Sequence, residues 1–221
     1  MTAAKQWVSL KDVAIDMPAG PSEVEVIADA SAHLDFIAAD FLSQAEHGKD
    51  SQAMMITTDL SIVEPLVDAI QKQLEKLPRK SITEQALSHS RIIVLKDKQE
   101  IIDFTNLYAP EHLIIQTADY AAIAGQIRNA GSVFMGKYTP ESAGDYASGT
   151  NHTLPTNGYA HAYSGVNLDS FIKKMTFQEI NANGIRSLGK TICVMAENEC
   201  LEAHRNAVIV RLKTIEQDET I

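Results

Sequence analysis

The sequence predicts an α/β fold: a mostly parallel sheet covered by helices, followed by a small helical C-terminal domain. Three observations carry this. Short apolar runs alternate with stretches of helical period, which implies βα units. The alternation breaks near Gly136, and the chain then runs to Gly165 rich in Gly, Ser, Thr, Asn and Tyr. From Leu168 onward the pattern is mainly helical. A boundary near residue 166 therefore divides the chain into 1–21, a linker or remnant of a preceding domain, 22–165, an α/β portion, and 166–221, a helical domain.

Each element has its own warrant. Val24-Glu25-Val26-Ile27-Ala28 follows the Gly20-Pro21 turn and reads as a strand. Leu34, Ile37, Ala38, Phe41, Leu42 and Ala45 form one apolar helical stripe, which Gly48 closes. Ala53 to Thr57 reads as a buried strand. Asp59 suits the N-cap of a helix running to about Leu77, with Pro78 as its stop. Arg91 to Leu95 reads as a strand, Lys98 to Leu107 as a helix and Leu113 to Ile115 as a strand. Tyr120 to Asn129 reads as a helix and Ser132 to Met135 as the last strand. Ala203, Ala207, Val208 and Leu212 share one side of the final helix. The arrangement is Rossmann-like but incomplete, because no GxGxxG phosphate turn occurs anywhere.

The 221 residues carry a formal net charge of -10 with a pI near 5.1, which argues against a nucleic-acid or anionic-membrane surface. Cys193 and Cys200 form no CxxC pair, so a thiolate zinc site or dithiol redox pair is not expected. Neither a signal peptide nor a membrane span is legible, and the expected location is cytoplasmic.

Four scattered residues share metal-binding chemistry: Gln44 and His47 three apart at a helix end, Asp145 beside Gly144, and His204 on the last helix. Nitrogen and oxygen donors without thiolates suit zinc or a similar divalent ion. Each also has a plainer reading. A helix-terminal His answers the dipole, an Asp beside Gly makes a turn, and a helical His packs. Glu111-His112 follows Pro110 at a loop–strand junction, where a carboxylate and an imidazole suit proton transfer or merely mark the start of a strand.

Taken in order, five segments are more specific. They are Asp16-Met17-Pro18-Ala19-Gly20-Pro21-Ser22-Glu23-Val24, Leu42-Ser43-Gln44-Ala45-Glu46-His47-Gly48, Tyr108-Ala109-Pro110-Glu111-His112-Leu113, Ala130-Gly131-Ser132-Val133-Phe134, and Gly144 to His152. Together they resemble histidinol dehydrogenase, over nearly the whole chain but only the C-terminal half of that family's length. The resemblance implies Gln44, His47, Asp145 and His204 as zinc ligands, and Glu111 and His112 as the acid–base pair. It implies Ser22 and Glu199 as substrate contacts, together with the ligands and the acid–base pair. It implies oxidation of L-histidinol through L-histidinal to L-histidine with NAD, and an intertwined homodimer whose C-terminal tail completes the partner's site. The family's glycine-rich Pro-Gly-Asn segment is missing, and with it most nucleotide contacts, so a non-catalytic zinc- and histidinol-binding fragment is the alternative. Cys200 stands where the family has Gly.

Overall fold

The computed structural model describes residues 2–218, so the first residue and the last three of the expected segments lie outside the described residues. The described chain forms two compact units, Met1–Ile172 and Lys173–Ile221.

The first unit is a five-stranded, all-parallel sheet. In chain order its elements are α1 (Thr2–Ser9), β1 (Glu23–Ala28), α2 (Leu34–Ala45), β2 (Gln52–Thr57), α3 (Val63–Leu74), α4 (Lys80–His89), β3 (Arg91–Val94), α5 (Lys98–Tyr108), β4 (His112–Gln116), α6 (Tyr120–Ala124), β5 (Ser132–Met135) and α7 (Glu141–Tyr146). The strand order is β3-β2-β1-β4-β5. β1 and β4 are buried along their whole length, as a parallel sheet covered on both faces requires. Alternate residues feed two cores. Val24, Val26, Met55, Ile114 and Phe134 meet Ile37, Phe41, Leu66 and Ile70 of α2 and α3. Ile27, Ile56, Leu113 and Ile115 meet Ile101 and Ile102 of α5 and Ile123 of α6.

Four elements differ from the sequence expectation. Asp59 caps a 3-10 turn, Leu60–Ile62, by accepting from Ser61 N at 2.9 Å, and α3 begins only after it. α4 was not anticipated, because its buried face rests on the small Thr83 and Ala86 rather than on a stripe of large apolar residues. α6 stops at Ala124 rather than Asn129. There the Asn106 side chain accepts from Arg128 N and Asn129 N at 2.6 and 3.3 Å, taking amides that a longer helix would use. The irregular stretch 136–165 contains α7, so Asp145 stands on a short helix and not on a loop.

The second unit is a hairpin of α8 (Ala182–Asn198) and α9 (Glu202–Asp218). Gly189 lets the helices approach: a Cβ there would lie 3.0 Å from Leu212 and 3.2 Å from Val208. Between the helices Cys200 adopts φ +58, a left-handed conformation that glycine takes at less cost. Cys200→Gly is expected to raise the stability of the hairpin by about 1 kcal/mol, read as an increase in the urea midpoint.

Glu25, fully buried in β1, points toward α5, where the Thr105 hydroxyl donates to Oε1 and Oε2 has no partner. Burial pushes its carboxyl up to about 8. The folded chain therefore keeps a proton that the unfolded chain releases near pH 4.5, and stability falls as pH rises from there to about 8. The slope approaches about 1.4 kcal/mol per pH unit. Glu25→Gln is expected to remove this contribution, so its unfolding free energy gains on the parent's between about pH 5 and pH 8. Identical pH dependence in the two proteins would show that Glu25 does not titrate this way.

Candidate active site

The first residue of β1 organises the amino-terminal edge of the sheet. Glu23 N donates to Glu111 Oε2 at 2.9 Å. The Glu23 carbonyl accepts from Gln44 Nε2 at 3.1 Å and faces His112 Nδ1 at 3.1 Å. Gln44 Nε2 also reaches Glu111 Oε2 at 3.4 Å and lies 3.1 Å from His112 Nδ1. A carbonyl only accepts, so His112 carries its proton on Nδ1, and both Gln44 amide hydrogens go to oxygen. That assignment leaves two buried atoms, Gln44 Oε1 and His112 Nε2, without hydrogen-bond partners. Nε2 faces Asp145 Oδ1 at 3.8 Å.

The chain returns after β5 to close this edge. α7 brings Glu141 to Ser43 Oγ at 3.5 Å and Asp145 to His112. Gly144 permits it, since a Cβ there would lie 2.7 Å from the Phe134 ring, which itself packs 5.9 Å from His112. His47, exposed just beyond α2, has a ring nitrogen within 4.8 Å of carboxylate oxygens of both Glu141 and Asp145.

Charge is concentrated here. Burial works to lower the His112 pKa, but the Glu111 carboxylate, with Glu141 and the Glu23 carbonyl, outweighs it and raises the imidazole to about 9. Burial raises Glu141 to about 7, reinforced by Asp145, Glu111 and Asp40. Burial likewise raises Glu23 to about 7, helped by Glu111 and opposed by the Asn157 amide.

The structure thus brings Gln44, His47, Glu111, His112 and Asp145 to one edge. Ser22, half-buried, immediately precedes β1. Glu199, at the C-terminal end of α8, and His204, in the first turn of α9, are exposed members of the second unit. Sequence reasoning missed Glu23 and Glu141. Glu141 is one helical turn before Asp145, a signal legible only once 141–146 is read as helix.

The donor set fits a divalent cation of borderline hardness. It offers imidazole, carboxylate and amide oxygen without thiolate, and Gln44 Oε1 is a buried acceptor that nothing else satisfies. A dinucleotide fits less well. At the carboxyl ends of β1 and β4, where such ligands bind in open α/β sheets, Asp29 already accepts from Ser31 N and Ala118 N at 2.9 and 3.0 Å. The turn after β1, Asp29 to His33, has no glycine. A carboxylate at that position does not fit pyrophosphate.

Comparison with known proteins gives a consistent result. The family model described as "Histidinol dehydrogenase" matches residues 1–212. The chain is 64% identical over 215 residues to a Bacteroides fragilis protein named histidinol dehydrogenase, covering 97% of this chain and 50% of that protein. It is 54% identical over 222 residues to a chloroplastic histidinol dehydrogenase of Arabidopsis thaliana, covering 98% and 47%. A crystal structure of histidinol dehydrogenase from Elizabethkingia anophelis superimposes with a TM-score of 0.94 at 58% identity, covering 97% of this chain and 50% of that one. The chain spans about half the length of the curated relatives it matches.

Gly131 is a sensitive point of this edge. It donates to Pro110 O at 2.9 Å, and a Cβ there would lie 2.5 Å from Glu111 O and 3.2 Å from Leu154. Backbone cannot yield as a side-chain tip can. Gly131→Ala is expected to destabilise the first unit by roughly 1–3 kcal/mol, measured by urea denaturation, and an unchanged midpoint would contradict the close approach.

Proposed function

The chain belongs to the histidinol dehydrogenase family, and from that premise we propose that it is the part of such an enzyme holding the acid–base pair and most of a zinc and substrate site. The proposed reaction of the whole enzyme is the NAD-linked, two-step oxidation of L-histidinol through L-histidinal to L-histidine. The observation that carries the reading is the meeting, at one sheet edge, of His112 Nε2, Asp145, His47 and the unsatisfied Gln44 Oε1.

In this reading Gln44, His47 and Asp145 hold the zinc together with the His204 that the exchanged tail of a second copy would contribute. When bound, the ion supplies an anchor for the substrate's amine and imidazole nitrogens, which orients the carbon to be oxidised. Ser22 and Glu199 add substrate contacts. His112 is the proton carrier. Its Nδ1–H is committed to the Glu23 carbonyl, so Nε2 is the nitrogen that takes the proton of the substrate hydroxyl, once the imidazole is neutral, a form that a cation held beside it would favour against the surrounding carboxylates. Glu111 lies beside it, with Oε2 to His112 Nδ1 at 3.5 Å, and takes a proton from the water that adds to the aldehyde in the second step. Burial of both groups keeps bulk water from a reactive aldehyde.

The helical hairpin is its own compact unit, and Phe171, Met175 and Phe177 before it are exposed. Both features support a homodimer in which the C-terminal tail completes the partner's site. Among the described residues no helix is long and apolar enough to cross a membrane, and we place the enzyme in the cytoplasm.

One observation favours a second reading. The Asp29 turn offers no place for pyrophosphate, which suits a fragment that binds zinc and histidinol without turnover. Incubation with zinc, L-histidinol and NAD, followed by absorbance of the reduced cofactor, separates the two. Turnover supports the enzyme reading. Zinc-dependent histidinol binding without turnover supports the fragment reading. His47→Ala and His204→Ala are each expected to lower zinc affinity by at least about tenfold, whereas His112→Asn keeps the metal and loses any turnover. Undiminished zinc binding in both Ala variants would overturn the ligand assignment.

A further inference from the structure

We propose that Thr156 is a positioning residue for the substrate, the central grip of a strap, residues 153–163, that fixes the backbone on both sides of Ser22 and so places the Ser22 hydroxyl. This rests on the reading above in which Ser22 touches L-histidinol.

Three observations point to it. The first is how fully the main chain around Ser22 is pinned. Thr156 Oγ1 accepts from Gly20 N at 2.5 Å. Gln52 N donates to the Ser22 carbonyl at 3.0 Å. Glu23 N donates to Glu111 Oε2 at 2.9 Å, and Glu23 Oε1 accepts from Asn157 N at 2.8 Å. Three separate segments thus hold residues 20–23 from several directions. The half-buried Ser22 hydroxyl itself has no protein partner among the described residues. A fixed backbone carrying an uncommitted hydroxyl is preorganised for a ligand.

The second is the use made of a buried side chain. Gly20 is exposed, so water can satisfy its amide. Thr156 is 2% exposed, yet its hydroxyl is spent on that amide. Such a bond adds little to satisfaction of the backbone and defines a position. The approach is close: a Cβ at Gly20 would lie 3.2 Å from Thr156 Oγ1.

The third is anchorage of the strap itself. Asn157 and Gly158 are successive left-handed residues, φ +55 and +75, and their bend turns the Asn157 N–H onto Glu23. Leu154 is buried beside Gly131 and Gly165, where added Cβ atoms would lie 3.2 and 2.6 Å from it. His161 Nε2 donates to the Leu107 carbonyl at 3.0 Å, which leaves Nδ1 to accept from Asn129 Nδ2 at 2.9 Å. The strap follows α7, so one stretch of chain both carries Asp145 and sets Ser22.

The test titrates the zinc-loaded full chain calorimetrically with L-histidinol. The parent, Thr156→Val, Thr156→Ser, Ser22→Ala and the Thr156→Val/Ser22→Ala double variant are compared, with Zn²⁺ affinity and the unfolding midpoint of each as controls. Thr156→Val keeps the shape and loses the acceptor. It is expected to weaken L-histidinol binding roughly 3- to 10-fold, the worth of one hydrogen bond, with parental Zn²⁺ affinity. Thr156→Ser keeps the acceptor and is expected to bind like the parent. In the Ser22→Ala background Thr156→Val is expected to cost less than about twofold, because the two residues act as one unit. A merely structural threonine would cost the same in both backgrounds, and that equality overturns the proposal. Loss of affinity in Ser22→Ala with none in Thr156→Val sinks the proposal alone. Parental affinity in Ser22→Ala, or no L-histidinol binding by the parent, fells the underlying reading of Ser22 and the proposal with it. Should Thr156→Val not fold, Gly20→Ala disturbs the same bond from its other side, and parental L-histidinol affinity there overturns the proposal.

Discussion

One peptide group holds this edge of the sheet together. The N–H of Glu23 binds the Glu111 carboxylate, and its carbonyl meets Gln44 and His112. Glu111 and His112 come from the start of β4, and Gln44 from the last turn of α2. Three side chains from two separate segments are thus referenced to a single rigid group in a strand that is wholly buried. Backbone donors and acceptors in a central strand do not swing as side chains do. The tautomer of His112 and the unpartnered state of Gln44 Oε1 both follow from this one peptide.

Much of the fold was legible in advance because its strands are short apolar runs, β1 interrupted only by Glu25. A parallel sheet buried on both faces needs such runs at β1, β2 and β4. What escaped was written in weaker signals. α4 hides its packing face behind Thr83 and Ala86, and α6 is cut short by Asn106, a residue remote in sequence. The site divided in the same way. Gln44, His47, Glu111, His112 and Asp145 were legible through segments resembling a known family. Glu23 was not, since it works largely through its backbone. Glu141 was hidden because a Gly-flanked stretch gave no helical period.

The candidate site lies at the amino ends of β1 and β4, whereas open α/β sheets place ligands at the carboxyl ends. At the carboxyl end Asp29 ties Ala118 back to the β1 turn. In the proposed reading this division separates metal and proton chemistry from any nucleotide function. It also accounts for the crowd of carboxylates at one end, where Glu23, Glu111, Glu141 and Asp145 surround one imidazole. Such an arrangement costs desolvation and repulsion, which the His112 imidazole and the raised pKa of Glu23 and Glu141 relieve in part.

The Glu23 peptide has one more consequence, for folding fidelity. β1 pairs Val24 with His112 of β4. A slip of one residue would turn every side chain of β1 to the opposite face and bring a different peptide opposite Gln44. The native register is therefore a condition of chemistry as well as of packing. A misregistered chain could keep near-native secondary structure and still lack an aligned imidazole. For this sheet, competence to react would be a more exacting report of correct assembly than circular dichroism.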